Sequence, residues 1–393
     1  MKKLRLLLIG YFITVIGLFL YSYTQVDLGL TLSRASIYQT LEKGFQYIGY
    51  FQRPLSTLLY IIILAVFFLF YFFFILFAIK KKISQRAIWI VVIATTIILT
   101  FSYNAFSYDL FNYIFDAKII THYHLNPYFH KALDFPNDPM LGFMHWTQRT
   151  YVYGPLWLVL TVPFSFIGLQ YFLPTFFLFK ILVSGFFLGT VYFLSKLIKK
   201  YAPQQELLGV VLFALNPLVI IESLVSSHND IVMIFFALWG IYLLHEKKYM
   251  LGLLSIIVSP LVKQATVFLI LPAFFYSFIR MFMKNIAFSF KFFLIAAAIF
   301  IGAGFVFVLQ QREMQPWYFI WLLPFFSFFT INKYTINFVI GTSLGLLLRY
   351  APFLYQGNWD GVAVPIRFYV SIITPMVFVG VVFLADIIKS FKK

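Results

Sequence analysis

Apolar runs of about 20 residues, the length that crosses roughly 30 Å of hydrocarbon as a helix, recur from one end of the chain to the other. Lysine and arginine fall almost entirely in the breaks between them. No interval between runs is large enough to build a water-soluble core, so residues 1–393 read as a single integral-membrane domain. The fold class expected is an all-α polytopic membrane protein, because backbone N–H and C=O groups in hydrocarbon must be bonded within their own segment.

The net charge of +17 would suit a nucleic-acid binder, but its distribution argues otherwise. With a cytoplasmic N-terminus, the inner set is Lys2, Lys3, Arg5, Lys80 to Lys82, Arg86, Lys196, Lys199, Lys200, Lys247, Lys248, Arg280, Lys284, Lys291, Lys333, Lys389, Lys392 and Lys393. Only Glu206, Glu246 and Asp386 accompany them. The surplus is a topology signal, and no nucleic-acid partner is expected. Alternation of charge then predicts spans near 5–22, 54–79, 87–103, one net crossing within 155–195, 207–224, 231–245, 249–262, 264–280, 288–309, 317–331, 335–350 and 368–388. These are about twelve crossings with both termini cytoplasmic. Pro163, Gly168 and Pro174 predict a broken or interfacial helix within 155–195. The first run, behind Lys2, Lys3 and Arg5, is followed by bulky Tyr21-Ser22-Tyr23-Thr24 and reads as a retained signal anchor. The chain has no cysteine, so disulfides and thiolate metal sites are excluded.

Two stretches on the outer side are too polar for lipid contact. In the loop 23–53, Ser36 and Gln39 have capping-box spacing, and Ile37, Leu41, Phe45 and Ile48 share one face, predicting a helix that lies on the membrane. The loop 104–152 holds Asp109, Asp116, Asp134, Asp138, four histidines and Arg149. Its aromatic content disfavours disorder, which leaves function as the reason for it. After Ser107, Asp109, Asn112, Tyr113 and Asp116 share one side of a helix and Phe111, Phe115 and Ile119 the other, predicting a second interfacial helix.

Asp109 and Asp116 are separated by roughly 10 Å along a helix, too far to share a proton, so each is a candidate alone. Asp109 has two readings, a first-turn carboxylate favoured by the helix dipole or a base at the membrane surface; Asp116 reads as a solvated face residue. Glu222, near the outer end of its span, needs either a partner, which His228 or Asp230 could supply, or a wet cavity; the alternative is a polar hairpin turn in which Asn229 or Asp230 caps the next helix. Lys263 and Gln264 interrupt two hydrophobic halves, so Lys263 either snorkels to lipid headgroups or holds one substrate phosphate. Arg312 precedes Trp317 and Tyr318, which read as an interfacial aromatic belt or as the surround of a phosphate. Lys180 lies inside an apolar run, where a kinked helix could carry it to water. The irregular spacing of His122, His124, His130 and His145 argues against a zinc site. Walker, dinucleotide, zincin and nucleophile-elbow signatures are missing.

The order of motifs resembles the GT-C class of integral-membrane glycosyltransferases, and most closely the bacterial polyprenol-phosphate-mannose-dependent α-mannosyltransferases. It runs through Tyr108-Asp109 with Tyr113, Leu125-Asn126-Pro127-Tyr128, Tyr153-Gly154-Pro155-Leu156, Leu215-Asn216-Pro217-Leu218 with Glu222, His228-Asn229-Asp230, and Trp317-Tyr318 with Trp321. Ser226-Ser227 depart from the glycine common in the class. The resemblance implies an inverting hexosyltransferase of the bacterial plasma membrane, working at its outer face on a polyprenyl-phosphate sugar donor and a glycan or lipid-linked acceptor among membrane lipids. Asp109 is then the expected base, with Lys263, Arg312 and His228 at the donor phosphate. Tyr113, Asn126, Tyr128, Tyr153, Glu222, Asn229, Asp230, Gln264, Trp317 and Tyr318 are the expected substrate contacts. No cofactor is implied, and a divalent cation stays open as an alternative counter-ion to lysine and arginine. The competing reading is a transporter or flippase of a lipid-linked saccharide, which predicts midplane polar residues and repeated halves; a ligase passing a whole glycan would carry a larger outer domain.

Overall fold

The computed structural model describes residues 2–283, 288–329 and 331–391, and among these the secondary structure is helical, with no strand. Lys284, Lys392 and Lys393 of the basic set, and Thr330 of the expected 317–331 span, lie outside the described residues. In chain order the helices are α1 (Lys2–Ser22), α2 (Ser36–Gln46), α3 (Arg53–Ile79), α4 (Gln85–Thr100), α5 (Asp109–Thr121), α6 (Pro155–Ile167), α7 (Phe172–Tyr201), α8 (Glu206–Ala214) and α9 (Pro217–Ile220). They continue as α10 (Asp230–His245), α11 (Tyr249–Val258), α12 (Ile270–Phe282), α13 (Phe290–Gln311), α14 (Leu323–Phe328), α15 (Lys333–Leu348), α16 (Tyr350–Gln356) and α17 (Ala363–Ser390).

Every expected span holds helix, but not all reach spanning length. Among the described residues seven helical stretches are long and apolar enough to cross a membrane, and the pair Pro203–Ala214 and Pro217–Val225, bent by 53°, makes an eighth if taken as one span. This is a multi-pass membrane protein. Gln85–Thr100, Pro155–Ile167, Asp230–His245, Tyr249–Leu261 and Pro316–Phe328 are apolar but shorter, at 10–17 residues, so seven or eight of the roughly twelve expected crossings have full spanning length. The shortening has a local cause: polar segments such as Ser226–Asn229 and Lys263 occupy positions a full-length helix would have used. The break expected within 155–195 is a tight turn between α6 and α7, with Leu169 and Gln170 at positive φ.

The stretch from Gly209 to Ile234 is buried without interruption and forms the spine of the molecule. Asn216 makes its bend: the side-chain oxygen accepts from Leu218 N at 2.9 Å, Pro217 has no N–H to satisfy, and the amide donates to Ser343 Oγ at 2.9 Å. A π-turn follows over Ile221–Val225. Lys180 serves that turn. Instead of reaching water it is fully buried and donates to Leu224 O at 2.8 Å, Val225 O at 3.1 Å and Ser102 Oγ at 3.1 Å, taking up carbonyls that the π-turn leaves without helical partners.

The two predicted surface helices have different outcomes. In α2, Ile37 and Leu41 point outward at 78% and 57% exposure, as a helix lying on a membrane requires, but Ser36 is inside the helix and the cap at Ala35 has no side-chain bond, so the capping box does not form. The helix α5 (Asp109–Thr121) forms where the periodicity predicts it, but it is enclosed by the bundle on both sides. Phe111, Phe115 and Ile119 are buried against the bundle, yet Asn112 and Tyr113 on the polar side are buried as well, because that side faces the ionisable cluster described next.

Candidate active site

The first turn of α5 presents Asp109, with 13% of its side chain exposed, to the loop that ends the π-turn. His228 Nδ1 stands 3.5 Å from Asp109 Oδ2, and His228 Nε2 stands 3.2 Å from Glu222 Oε2. Both His228 and Glu222 are fully buried, and Tyr350 donates to Glu222 Oε1 at 3.0 Å. The side chains form a line, Asp109 to His228 to Glu222 to Tyr350. Ser227, which sets the direction of His228, adopts φ of 52°, a left-handed conformation that favours glycine.

Burial alone would lower the His228 pKa, but the two flanking carboxylates raise it to about 9. Burial would likewise raise Asp109; His228 foremost, with Arg149 and Lys263, outweighs it and holds the carboxyl at about 2. At neutral pH the pair is therefore an imidazolium facing the Asp109 carboxylate. Asp116, expected on a solvated face, is largely buried, and burial lifts it to about 8.

Backbone bonds within the polar loop bring in the next group. Asn126 Oδ1 accepts from Tyr128 N at 2.9 Å, forming an Asx turn, and Tyr128 OH donates to Tyr153 O at 3.2 Å. Tyr151 N donates to Pro127 O at 3.0 Å, and Gly154 N to Val262 O at 3.1 Å. A Cβ on Gly154 would lie 2.1 Å from Leu261 O, so only glycine permits this approach. Thus the Asn-Pro-Tyr and Tyr-Gly-Pro motifs shape the loop and join it to the segment carrying Lys263. Arg149 comes with them: its Nη2 lies 3.6 Å from Asp109 Oδ1 and 3.4 Å from Tyr153 OH. Tyr113 meets Tyr153 edge-on at 4.9 Å.

On the other flank, Lys263 Nζ lies 2.7 Å from Asp230 Oδ2, and Trp321 Nε1 donates to Asp230 Oδ1 at 2.7 Å. Trp317 stacks on His228 with ring centres 3.9 Å apart, and Lys263 stands 5.8 Å from the centres of both Trp317 and Tyr318. Here a cleft of about 240 Å³ opens. Tyr153, Lys263, Gln264, Arg312 and Tyr318 form its polar part, and Phe268, Phe307 and Val308 its apolar walls. A larger cavity of about 600 Å³ lies at the other end of the bundle, beside Lys81, Gln85 and Glu206, away from this cluster.

Polar atoms left without partners concentrate around the centre. Tyr113 OH, Ser226 Oγ, Ser227 Oγ, both side-chain polar atoms of Asn229 and Trp317 Nε1 are buried and unbonded. Unsatisfied buried groups are costly, and their gathering at one place is what a binding site for a polar molecule presents. Of the residues singled out from the sequence, Asp109, His228, Asn229, Asp230, Lys263, Gln264, Arg312, Trp317, Tyr318, Tyr113 and Tyr153 converge here. Glu222 stands behind His228, while Asn126 and Tyr128 are engaged in loop structure. Arg149 was visible only as a loop charge, and Tyr350 gave no signal beyond its position at the end of an apolar run. Among the described residues no group of three or more His, Asp and Glu side chains is arranged to hold a metal ion.

Fold and cluster define a multi-pass helical membrane protein with a charged, largely buried polar centre at one end of its bundle. A family model described as alpha-(1->6)-mannopyranosyltransferase, N-terminal domain, matches residues 12–280, and the chain belongs to this MptA_B family. No curated protein and no solved structure matches it. The protein is accordingly a membrane mannosyltransferase, as the motif order led one to expect. The matched range contains Asp109, Arg149, Glu222, His228, Asp230 and Lys263, and it stops short of Arg312, Trp317 and Tyr350.

Proposed function

We propose that the protein moves a single mannose, with inversion, from a polyprenyl-phosphate donor to a hydroxyl of a glycan or lipid-linked acceptor, in the manner of GT-C enzymes. The observation that carries this reading is the linkage of Asp109 to the Lys263 and Arg312 cleft through His228 and Trp317. As the acceptor oxygen bonds to the anomeric carbon, its proton passes to the Asp109 carboxylate. The bond from that carbon to the phosphate oxygen breaks, and its electron pair stays on the phosphate. The donor phosphodiester carries one negative charge and the departing polyprenyl phosphate approaches two. Lys263 and Arg312 meet that added charge, while Phe268, Phe307 and Val308 suit the first isoprene units. A carboxylate as acidic as Asp109 suits a late proton transfer, when the attacking hydroxyl has become strongly acidic.

The family's linkage suggests the 6-hydroxyl of a mannose as acceptor. Lysines and arginines at the opposite end of the bundle support a site on the outer face of a bacterial plasma membrane, with both termini cytoplasmic. The test is purified protein in detergent with a β-linked polyprenyl-phosphate mannose and a short oligomannoside. Mass analysis should show one added mannose, and its removal by an α-mannosidase should show the α linkage. A transporter would form no glycosidic bond, and transfer from a nucleotide-linked mannose alone would overturn the donor assignment.

A further inference from the structure

Arg349 and Tyr350 are neighbours at the junction of α15 and α16, each only 3% exposed, and neither lines the cleft. Their side chains go to different parts of the site. Tyr350 OH bonds Glu222, which holds His228 against Asp109. Arg349 donates to Glu313, and Arg367 Nη1 holds the other oxygen of Glu313 at 3.3 Å. Glu313 directly follows Arg312 and precedes the 3-10 turn Pro316–Trp321, which carries Trp317 and Tyr318. Arg349 is itself fixed from behind, donating to Arg367 O at 3.0 Å and Ser371 Oγ at 3.1 Å on α17. Two adjacent residues on a buried helix junction therefore hold the Asp109 line on one side and the Arg312 loop on the other.

We propose that Arg349 and Tyr350 are a positioning pair that sets the Asp109 carboxylate against the phosphate-side cations, Tyr350 through Glu222 and Arg349 through Glu313. This rests on the reaction proposed above. A reaction in which a nucleophile attacks while a phosphate departs loses rate steeply when the base and the cations are misplaced by about 1 Å, and a shared anchor fixes that separation. It also gives the buried Glu222 a role that contact with substrate would not require, since Glu222 is fully enclosed, with Oε1 bonded by Tyr350 and Oε2 3.2 Å from His228 Nε2.

The test uses full-length Tyr350→Phe, Glu222→Gln and Glu313→Gln, each nearly isosteric. Tyr350→Phe should lower kcat about tenfold at unchanged donor KM, and Glu313→Gln should raise donor KM about tenfold at nearly unchanged kcat. Changes confined to the yield of folded protein, with kcat and KM per folded molecule unchanged, would overturn the pair. Histidine-selective NMR reads the same chain of contacts without turnover. The His228 titration should move to lower pH by about one unit in Glu222→Gln and less in Tyr350→Phe, since a carboxylate beside an imidazole favours its cation. Unchanged titration in both variants would overturn the inference whatever the donor proves to be, whereas an inactive wild type with the shifts present would overturn only the proposed reaction.

Discussion

His228 Nδ1 lies 3.5 Å from Asp109 Oδ2, pairing an imidazole at the end of a buried π-turn with a carboxylate at the first turn of α5. With Glu222 on its other nitrogen, His228 is charged where a lone histidine would be neutral, and Asp109 is ionised where a lone buried carboxylate would be protonated. The pair gives the site a fixed dipole before any substrate arrives.

Asp109→Asn keeps the shape and leaves His228 its pairing with Glu222, so the fold should persist while the proton acceptor is lost. Transfer should fall by about 10²- to 10⁴-fold, the range general base catalysis contributes. Turnover by labelled lipid-linked mannose, normalised to folded protein, measures it. Wild-type turnover in this variant would remove Asp109 from the chemistry.

The pH dependence follows from the same pair. The carboxyl of Asp109, held at about 2, is ionised at every pH well above that value, so no acid limb should arise from it above about pH 4. The His228 pKa is raised to about 9; below that pH the cation is present, and as pH rises through it the cation is lost and Asp109 loses its partner. The rate should therefore be flat from pH 6 to 8 and fall above about 9. In Glu222→Gln the fall should begin at lower pH. A rate still rising through pH 9 in the wild type would contradict the pairing.

How far these features can be read from the chain depends on their range. The membrane helices, the break near Gly168 and the motif order are legible because hydropathy, proline and glycine act locally. Lys180 reads as a residue carried to water, and Glu222 as one whose partner is His228, Asp230 or a wet cavity; His228 is legible because it lies six residues on, but nothing local says what else meets either side chain. Their partners, carbonyls of a π-turn and the hydroxyl of Tyr350, come from distant segments. The helix α5 shows the same limit: its polar side is a correct reading of periodicity, but it faces Arg149 and His228 rather than water. Asp230–His245 and Tyr249–Leu261 read as full spans because composition continues across their ends, where positive φ at Ser227 and extended backbone at Lys263 bound them.

Lys263 has two jobs that substitution can separate. Asp230 is fully buried, so removing its lysine leaves its carboxylate, among the described residues, with Trp321 alone as side-chain partner, which costs on the order of 3 kcal/mol in buried pairs. Lys263→Met should lower the thermal midpoint and raise donor KM at least tenfold. The double change Lys263→Met with Asp230→Asn should recover most of the thermal midpoint, because no carboxylate is then stranded, but none of the donor affinity. If stability and donor affinity recover together, Lys263 acts only as the counter-ion of Asp230.

Gly154 tests whether the loop must meet the Lys263 segment backbone to backbone. Its φ of −75° is open to any residue, so a substitution brings no backbone strain of its own. The obstacle is contact: a Cβ would lie 2.1 Å from Leu261 O and 2.4 Å from Leu261 C, atoms that cannot rotate away. Gly154→Ala must therefore push the two segments apart, weakening the bond from Gly154 N to Val262 O and moving Arg149 and Tyr153 relative to Lys263. The cost expected is about 1–3 kcal/mol of stability, typical of overpacking, and a larger proportional loss of turnover, because displacement of about 1 Å matters more to reacting groups than to a packed bundle. Thermal unfolding and turnover measured on the same preparation separate the two effects. Equal turnover with reduced stability would mean that the approach at Gly154 serves the fold alone.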